Sequence, residues 1–347
     1  MMKAVVTNGT GDSSVLELKE VPTPELKNEH DIRIKVAAIG VNRVDLSQRR
    51  GTNTVPPDAS PYLGVEVSGT VEQVGPAVTR FKEGDNVMAL VNGGGYAEYC
   101  TTGEHTALPI PHGYTFVEAA AIPESFLSAW MLLKFYGKVQ EGQRVLIHAG
   151  SSNLGMAASQ ITETIMKATA ITTSSSEHIP VCKRFASIAI SRKPNVFGDH
   201  FCGDVRAAIG DGVGVDVVID PIFGGTYTQE NAALLSDYGK ILVVSYVGGA
   251  RLTMNALPLY RQRARISFCQ LRTMTDTFKK ELVQSFEEQV IPYMNEKMVI
   301  PTVFRSFPLD QVATVHTMLD ENKQRSAGKY VLTVEETASR SSAAGTQ

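Results

Sequence analysis

The stretch that most constrains this chain is RVLIHAGSSNLGMAASQ, residues 144–160. An apolar run, RVLIHA, ends at Gly150, and after a short polar turn Leu154, Ala157, Ala158, Ile161 and Ile165 recur at the spacing of one helical face. Consecutive apolar and branched residues are what a strand buried on both faces requires. The spacing therefore predicts strand, tight turn and helix, the unit from which parallel doubly wound sheets are built. A helix N-terminus at such a turn offers unpaired N–H groups and the positive end of its dipole to a pyrophosphate. The turn holds two glycines, Gly150 and Gly155, and Asn153 stands where the usual fingerprint has its middle glycine. Asparagine is the best non-glycine residue where φ must be positive. The expectation is binding in a shifted geometry, through Gly150, Ser152, Asn153, Leu154 and Gly155.

The rest of the chain arranges itself around this unit. From Ala119 on, helical stretches alternate with the apolar strands 168–173, 215–220, 240–247 and 265–270, which argues for a parallel sheet. Before it, short alternating pieces at 3–7, 31–41, 66–75 and 85–91 are punctuated by glycine and proline, as in a small β-barrel or sandwich. After it come a helix over 278–296, a strand over 302–307, a helix over 309–322 and a strand over 329–334. These last ~70 residues are too few for a core of their own, so they are expected to complete the first domain. The expected division is 1–121 with 267–335, then 122–266, then a polar disordered tail at 336–347.

With 347 residues and a net charge of −3, nothing favours nucleic acid or an anionic membrane as the main partner. No apolar run approaches the ~20 residues of a membrane span, and the N-terminus carries no secretory or transit pattern. Cys100, Cys182, Cys202 and Cys269 are too scattered for a zinc pair and too few for a disulfide framework. They are expected to be reduced and mostly buried, in a cytoplasmic protein.

The second strand decides which dinucleotide is expected. A site for NAD places an acid at its end, for the ribose hydroxyls. Here the strand runs into Thr173-Ser174-Ser175-Ser176, and His178, Lys183, Arg184, Arg192 and Lys193 follow. Hydroxyls with cations suit a 2′-phosphate and hence NADPH; the same charges also fit an ordinary solvated helix face.

The ordered elements AAIGVNRVDLSQRRG, LGVEVSGTVEQVG, GDNVMALVNGGGYAEYC, AAAIPESFLSAW, VLIHAGSSNLGMAASQ and SAGKYVL resemble a zinc-independent medium-chain dehydrogenase/reductase of the quinone oxidoreductase branch, over residues 3–334. The resemblance implies a GroES-like β-barrel domain plus a Rossmann domain, an α/β fold with cofactor and substrate in the cleft between them. It also implies a homodimer joined through the Rossmann sheets. Zinc alcohol dehydrogenases, a sister branch, have Cys-His-x-Asp and Gly-His-Glu where this chain reads Asn42-Arg43-Val44-Asp45 and Gly64-Val65-Glu66. With those ligands missing, no metal site is expected at these positions.

Without zinc, hydride transfer from nicotinamide needs an acceptor that is already electrophilic, such as a quinone or an α,β-unsaturated carbonyl. The resemblance implies that Asn42 bonds near nicotinamide and acceptor; the alternative is an asparagine that satisfies its own loop. Asp45 orders that loop, holds a water or caps a helix. Related quinone reductases carry a tyrosine where Asn53 stands, with Tyr62 as a substitute a few residues on. The implied cofactor contacts are Ser128 and the 150–155 turn, then Ser174, Ser176, His178 and Arg192 at the 2′-phosphate. Ser245 and Tyr246 would lie beside the nicotinamide ribose, with Leu271 and Lys329 as further contacts. Trp130 reads as core. The leading function is an NADPH-dependent quinone oxidoreductase; the alternatives are an alkenal or enone reductase acting on the same cofactor, and an NADPH-binding sensor or scaffold with little turnover.

Overall fold

The computed structural model describes residues 1–53, 55–57, 59–193, 200–321 and 327–334, so the tail expected at 336–347 lies outside the described residues. The first part of the chain contains β1 (Met2–Thr7), β2 (Leu16–Val21), β3 (Asp31–Gly40), β4 (Glu66–Val74), β5 (Asn86–Leu90), β6 (Tyr99–Gly103) and β7 (Ala107–Pro109). The middle contains β8 (Arg144–His148), β9 (Thr169–Ser174), β10 (Ile188–Ser191), β11 (Val215–Asp220), β12 (Leu235–Val243) and β13 (Arg265–Phe268). The end contributes β14 (Val303–Pro308) and β15 (Lys329–Thr333).

Two larger sheets result. One runs β14-β15-β3-β4-β5-β7, with β6 also paired to β3. Val331, Leu332 and Thr333 of β15 lie antiparallel to Gly40, Ile39 and Ala38 of β3. The end of the chain thus enters the sheet begun by its first third, as expected from its thinness as an independent unit. β1 and β2 form a separate hairpin, tied on by the bridge of Ala4 to Ala97. The other sheet is parallel throughout, in the order β10-β9-β8-β11-β12-β13. Its strands, read in chain order, run 3-2-1-4-5-6, so the order reverses between β8 and β11, where open α/β sheets place ligands.

Several boundaries differ from the sequence reading. β12 starts and stops earlier than 240–247, which leaves Ser245 and Tyr246 in the loop beyond it. Ser267 and Phe268 pair with Leu242 and Val243, so the parallel sheet extends past residue 266. The helix expected over 278–296 is two, Asp276–Gln289 and Ile291–Asn295; Pro292 lacks the N–H that would continue the first. β2, β6, β7 and β10 were not legible, being short or charged.

The two sheets share a core. Met88, Leu90 and Leu108 of the first pack in one cluster with Phe126, Leu127 and Trp130, with Ala157, Ala158 and Ile161, and with Leu282 and Phe286. Trp130 is core as expected, and its indole donates to Ser285 Oγ at 3.0 Å. Helix Pro123–Trp130 is buried around its circumference except at Glu124 and Ser128, which are four residues apart and hence share one face. Of the two, Glu124 lines a cavity described below.

Candidate active site

The turn after β8 is built as the sequence predicts, but its strain lies elsewhere. Asn153 is the first residue of helix Asn153–Gln160, whose cap is Ser152; the residue with positive φ is Ala149, at 53°. The expectation of a left-handed Asn153 is therefore corrected: the chain makes its sharp bend before Gly150. Ser152 Oγ accepts from the N–H of Gly155 at 3.0 Å. Helical geometry leaves the N–H groups of Asn153 and Leu154 without intrahelical partners. The two glycines permit close packing. A Cβ at Gly150 would lie 2.6 Å from Thr172 Cβ, and one at Gly155 would lie 2.4 Å from the carbonyl oxygen of Ala149. The helix start is thereby pressed onto the strand end at the sheet's reversal point, while Ser151 to Leu154 stay half-exposed. A dinucleotide pyrophosphate fits such a cradle.

At the end of β9 the serines are linked. Ser174 Oγ donates to Ser151 Oγ at 3.0 Å, and His178 Nδ1 lies 3.2 Å from both Ser151 Oγ and Ser175 Oγ. Ser176 Oγ is 2.8 Å from Ser191 Oγ. The Arg192 N–H donates to the carbonyl of Ser174 at 2.8 Å, and its exposed guanidinium bonds the Tyr227 hydroxyl. The structure thus brings Ser174, Ser176, His178 and Arg192 together beside the glycine turn. Ser174 itself is buried and braces the turn through Ser151, which sequence reasoning did not single out. Ser245 is half-buried and Tyr246 is 59% exposed in the loop after β12.

The opposite wall is closed and charged. Lys329, 1% exposed, donates to Asn42 Oδ1 at 2.7 Å and to Glu66 Oε1 at 2.5 Å. Asn42 Nδ2 donates to the same Glu66 oxygen at 2.8 Å and to the Gly40 carbonyl at 3.3 Å. Glu66 Oε2 accepts the N–H of Glu124 at 2.9 Å, which ties helix Pro123–Trp130 to this wall. Both N–H groups of the Asn42 amide are therefore consumed by protein, and only its oxygen keeps a lone pair for a ligand. Lys329 acts as a positioning residue: two of its three ammonium N–H groups go to Asn42 and Glu66, and it is almost wholly buried.

Asp45 is also internal. It has no exposed surface and accepts from the Asn42 N–H at 2.8 Å, the Tyr96 hydroxyl at 3.1 Å and the Gly64 N–H at 3.2 Å. Burial pushes its pKa up to about 6 against these donors. The chain of bonds continues inward. Arg49 only donates, so His316 Nδ1 accepts from it at 3.1 Å, and His316 Nε2–H then donates to Tyr96 at 3.0 Å. Burial and the Arg49 charge pull His316 down to about 3, so it is neutral. Of the readings open for Asp45, the structure supports the one that orders the loop and caps helix Arg43–Arg49.

Three further expectations are corrected. The Tyr62 ring packs on Met2, Ala4, Val21 and Ala97 beneath the first hairpin, because the hairpin needs an apolar cover. It does not stand in for a missing substrate-stacking ring. Asn53 is half-buried, and its Nδ2 has no hydrogen-bond partner among the described residues, yet neither it nor Tyr62 lines the cavity described next. Leu271 is 4% exposed, its side chain drawn into the shared core.

A cavity of about 230 Å³ is lined almost wholly by residues of 27–106 and 272–279, among them Ser60, Val65, Asn92, Gly93 and Arg272, with Glu124 as the contribution of helix Pro123–Trp130. Glu124 and Arg272 were missed. Burial, and then the Glu66 charge, push Glu124 up to about 7. Arg272 is 8% exposed, and its Nη1 donates to Gln48 Oε1 at 2.7 Å. A single charged residue in the segment PESFLSAW was a usable signal for Glu124. None existed for Arg272, whose neighbours come from far along the chain.

The donor set does not fit zinc. Between Asn42 and Glu66 stands a fixed ammonium, and Val65 has no ligating atom. Among the described residues no group of three or more His, Cys, Asp or Glu side chains is placed to hold a metal ion. The four cysteines are buried and free. No helix among the described residues is long and apolar enough to cross a membrane.

Comparison with known proteins gives two family matches, "Alcohol dehydrogenase GroES-like domain" over residues 28–130 and "Zinc-binding dehydrogenase" over residues 196–332. The chain is 28% identical over 353 residues to the synaptic vesicle membrane protein VAT-1 homolog-like of Mus musculus, covering 97% of this chain and 82% of that one. It is 29% identical over 337 residues to the quinone oxidoreductase of Lama guanicoe, covering 96% and 97%. A mycobacterial protein solved in complex with NADPH superposes with a TM-score of 0.82 at 27% identity, over 96% of this chain and 100% of that one.

Proposed function

We propose that this chain, which matches the two domain models of the medium-chain dehydrogenases/reductases, is an NADPH-dependent reductase that transfers hydride, without zinc, to a quinone. The observation that carries this reading is the strand-turn-helix unit at the reversal point of the parallel sheet, with Ser174, Ser176, His178 and Arg192 gathered beside it. In this reading the half-exposed turn Ser151–Leu154 holds the pyrophosphate, and Ser176, His178 and Arg192 hold the 2′-phosphate. Ser128 and the free lone pair of Asn42 face the nicotinamide, and Ser245 and Tyr246 the adjoining ribose. The bound nicotinamide supplies the hydride. The protein's own contribution is position and fixed charge from Arg272.

A smaller enal or enone acceptor is the second reading. No Phe, Tyr or Trp lines the cavity among the described residues, so a quinone finds no ring there to stack upon. Titration of the protein with NADPH and with NADH, followed by nicotinamide fluorescence, tests the first step. Addition of 1,2-naphthoquinone and then of a conjugated enal tests the second. NADPH preference with faster oxidation by quinone supports the leading function; faster oxidation by enal moves the assignment to the second. Binding without oxidation by either assigns a sensor, and absence of nucleotide binding overturns all three.

The reading includes a cytoplasmic homodimer. β13 is an edge strand with unpaired backbone groups, and Tyr246, Tyr260 and Phe268 stand exposed near it. Sedimentation velocity should show a dimer that Phe268→Asp dissociates; a wild-type monomer overturns this part.

A further inference from the structure

Arg272 is a buried cation with two of its three guanidinium nitrogens idle among the described residues. Nη1 is held by Gln48, but Nε and Nη2 are buried without a hydrogen-bond partner among the described residues. Those two atoms form the side-on edge of the guanidinium, with two parallel N–H bonds spaced as the oxygens of a carboxylate are. Unmet buried donors are costly, so the edge is suited to an acceptor that enters.

We propose that the Arg272 edge docks a carboxylate, so that the acceptor taken by this cleft is an acid: a small conjugated or aromatic molecule bearing a carboxylate group. The assignment deepens the reductase reading and rests on it for the word acceptor; the carboxylate site itself stands on Arg272.

Four observations converge on it. The guanidinium is held in place, because Gln48 of helix Arg43–Arg49 accepts from its Nη1 at 2.7 Å. The turn beside it is cleared: Gly93 has φ 87°, and a Cβ there would lie 3.5 Å from Nη2 and 3.0 Å from the carbonyls of Ser60 and Tyr62. The protein's own carboxylates act on it only through space, Asp45 first and then Glu124. Asp45 is taken up by Asn42, Tyr96 and Gly64, and neither it nor Glu124 bonds the guanidinium. Both are also pushed toward their uncharged forms, to about 6 and about 7, chiefly by burial. Finally, the cavity has an apolar side, Val65, Leu90 and Val91, against which a hydrocarbon body can lie while its charged end meets Arg272. At about 230 Å³ it is just below the ~300–1,000 Å³ usual for ligand pockets, which favours a compact acid.

The test is calorimetric titration of the full chain with 2-naphthoate and with 2-naphthamide, a neutral molecule of the same shape, at pH 6, where Glu124 is mostly uncharged. Wild type should bind the acid at least tenfold more tightly than the amide. Arg272→Gln should bring the ratio near one. Arg272→Lys, which keeps the charge without the side-on pair, should give an intermediate ratio and carries the test if the glutamine variant does not fold. Equal affinity for the two ligands, binding of neither, or an undiminished ratio in the folded variants overturns the proposal. NADPH titrated in parallel separates the two claims. Acid selectivity without NADPH binding sinks the reductase reading and keeps the site. NADPH binding without acid selectivity keeps the reductase and sinks the site.

Discussion

The two walls of the cleft are built on opposite principles. On the wall of β3, β4 and β15, Asn42, Glu66 and Lys329 form a closed knot in which nearly every donor has its acceptor within 2.5–3.3 Å. On the wall of the parallel sheet, serines, His178 and Arg192 ring a half-exposed turn, and across the cavity Arg272 keeps two donors unspent. A saturated buried network is rigid and fixes shape; an unsaturated one stores affinity for what comes in. The difference teaches that Asn42 and Lys329, which a motif reading assigns to the cofactor, chiefly hold the wall in place. The binding capacity sits on the other side.

If that contrast is sound, the largest stability loss should come from the closed wall. Lys329→Met strips Glu66 of its one cationic partner among the described residues and should cost about 3–5 kcal/mol, the usual cost of breaking a buried pair. Urea denaturation measures it, and Glu66→Gln in the same chain should restore part of the loss. A loss below ~1 kcal/mol in the single variant would erase the contrast.

The turn should be less sensitive but not indifferent. Gly155→Ala places a Cβ against the Ala149 carbonyl, an overpacking that should cost about 1–3 kcal/mol and weaken nucleotide binding alongside it. Thermal denaturation with and without NADPH separates the two effects.

Glu124 lies between the walls, and its effect depends on pH. Its folded pKa of about 7 exceeds the ordinary value of 4.5. The unfolded chain therefore releases this proton first, and the stability tied to it is complete below pH ~4 and lost as pH rises through ~7. Glu124→Gln should flatten that slope, with a wild-type-minus-variant change on the order of 1–3 kcal/mol between pH 4 and 8. Parallel stability profiles of the two proteins would sink the assignment.

The smallest effect belongs to the open wall. Arg192→Ala should leave folding unchanged and lower the preference for NADPH over NADH about tenfold, or ~1.4 kcal/mol. An unchanged ratio of the two dissociation constants would return Arg192 to an ordinary surface cation.

Much of the fold was legible because its signals are local. The apolar face from Leu154 to Ile165 and the buried strands β8, β9 and β11 follow from periodicity alone. The first half of the site was legible for the same reason, since Gly150, Ser152 and Gly155 lie within six residues of one another. Tyr62 and Asn53 failed because ring type and proximity in sequence do not say which way a side chain faces. The hairpin β1–β2, not visible as a unit in the sequence, claimed the Tyr62 ring.

The sequence by itself determined the strand-turn-helix unit, the parallel sheet, and the loss of zinc-binding side chains at 42 and 65, all of which depend on residue types at short spacing. Tertiary structure alone decided that Lys329 fills the space between Asn42 and Glu66, that Ala149 and not Asn153 takes the strain, and that Arg272 meets Gln48 with one edge left open. Those outcomes depend on burial and on the balance of charge among residues hundreds of positions apart. Only the folded chain brings them within the few ångströms at which hydrogen bonds form and desolvation acts.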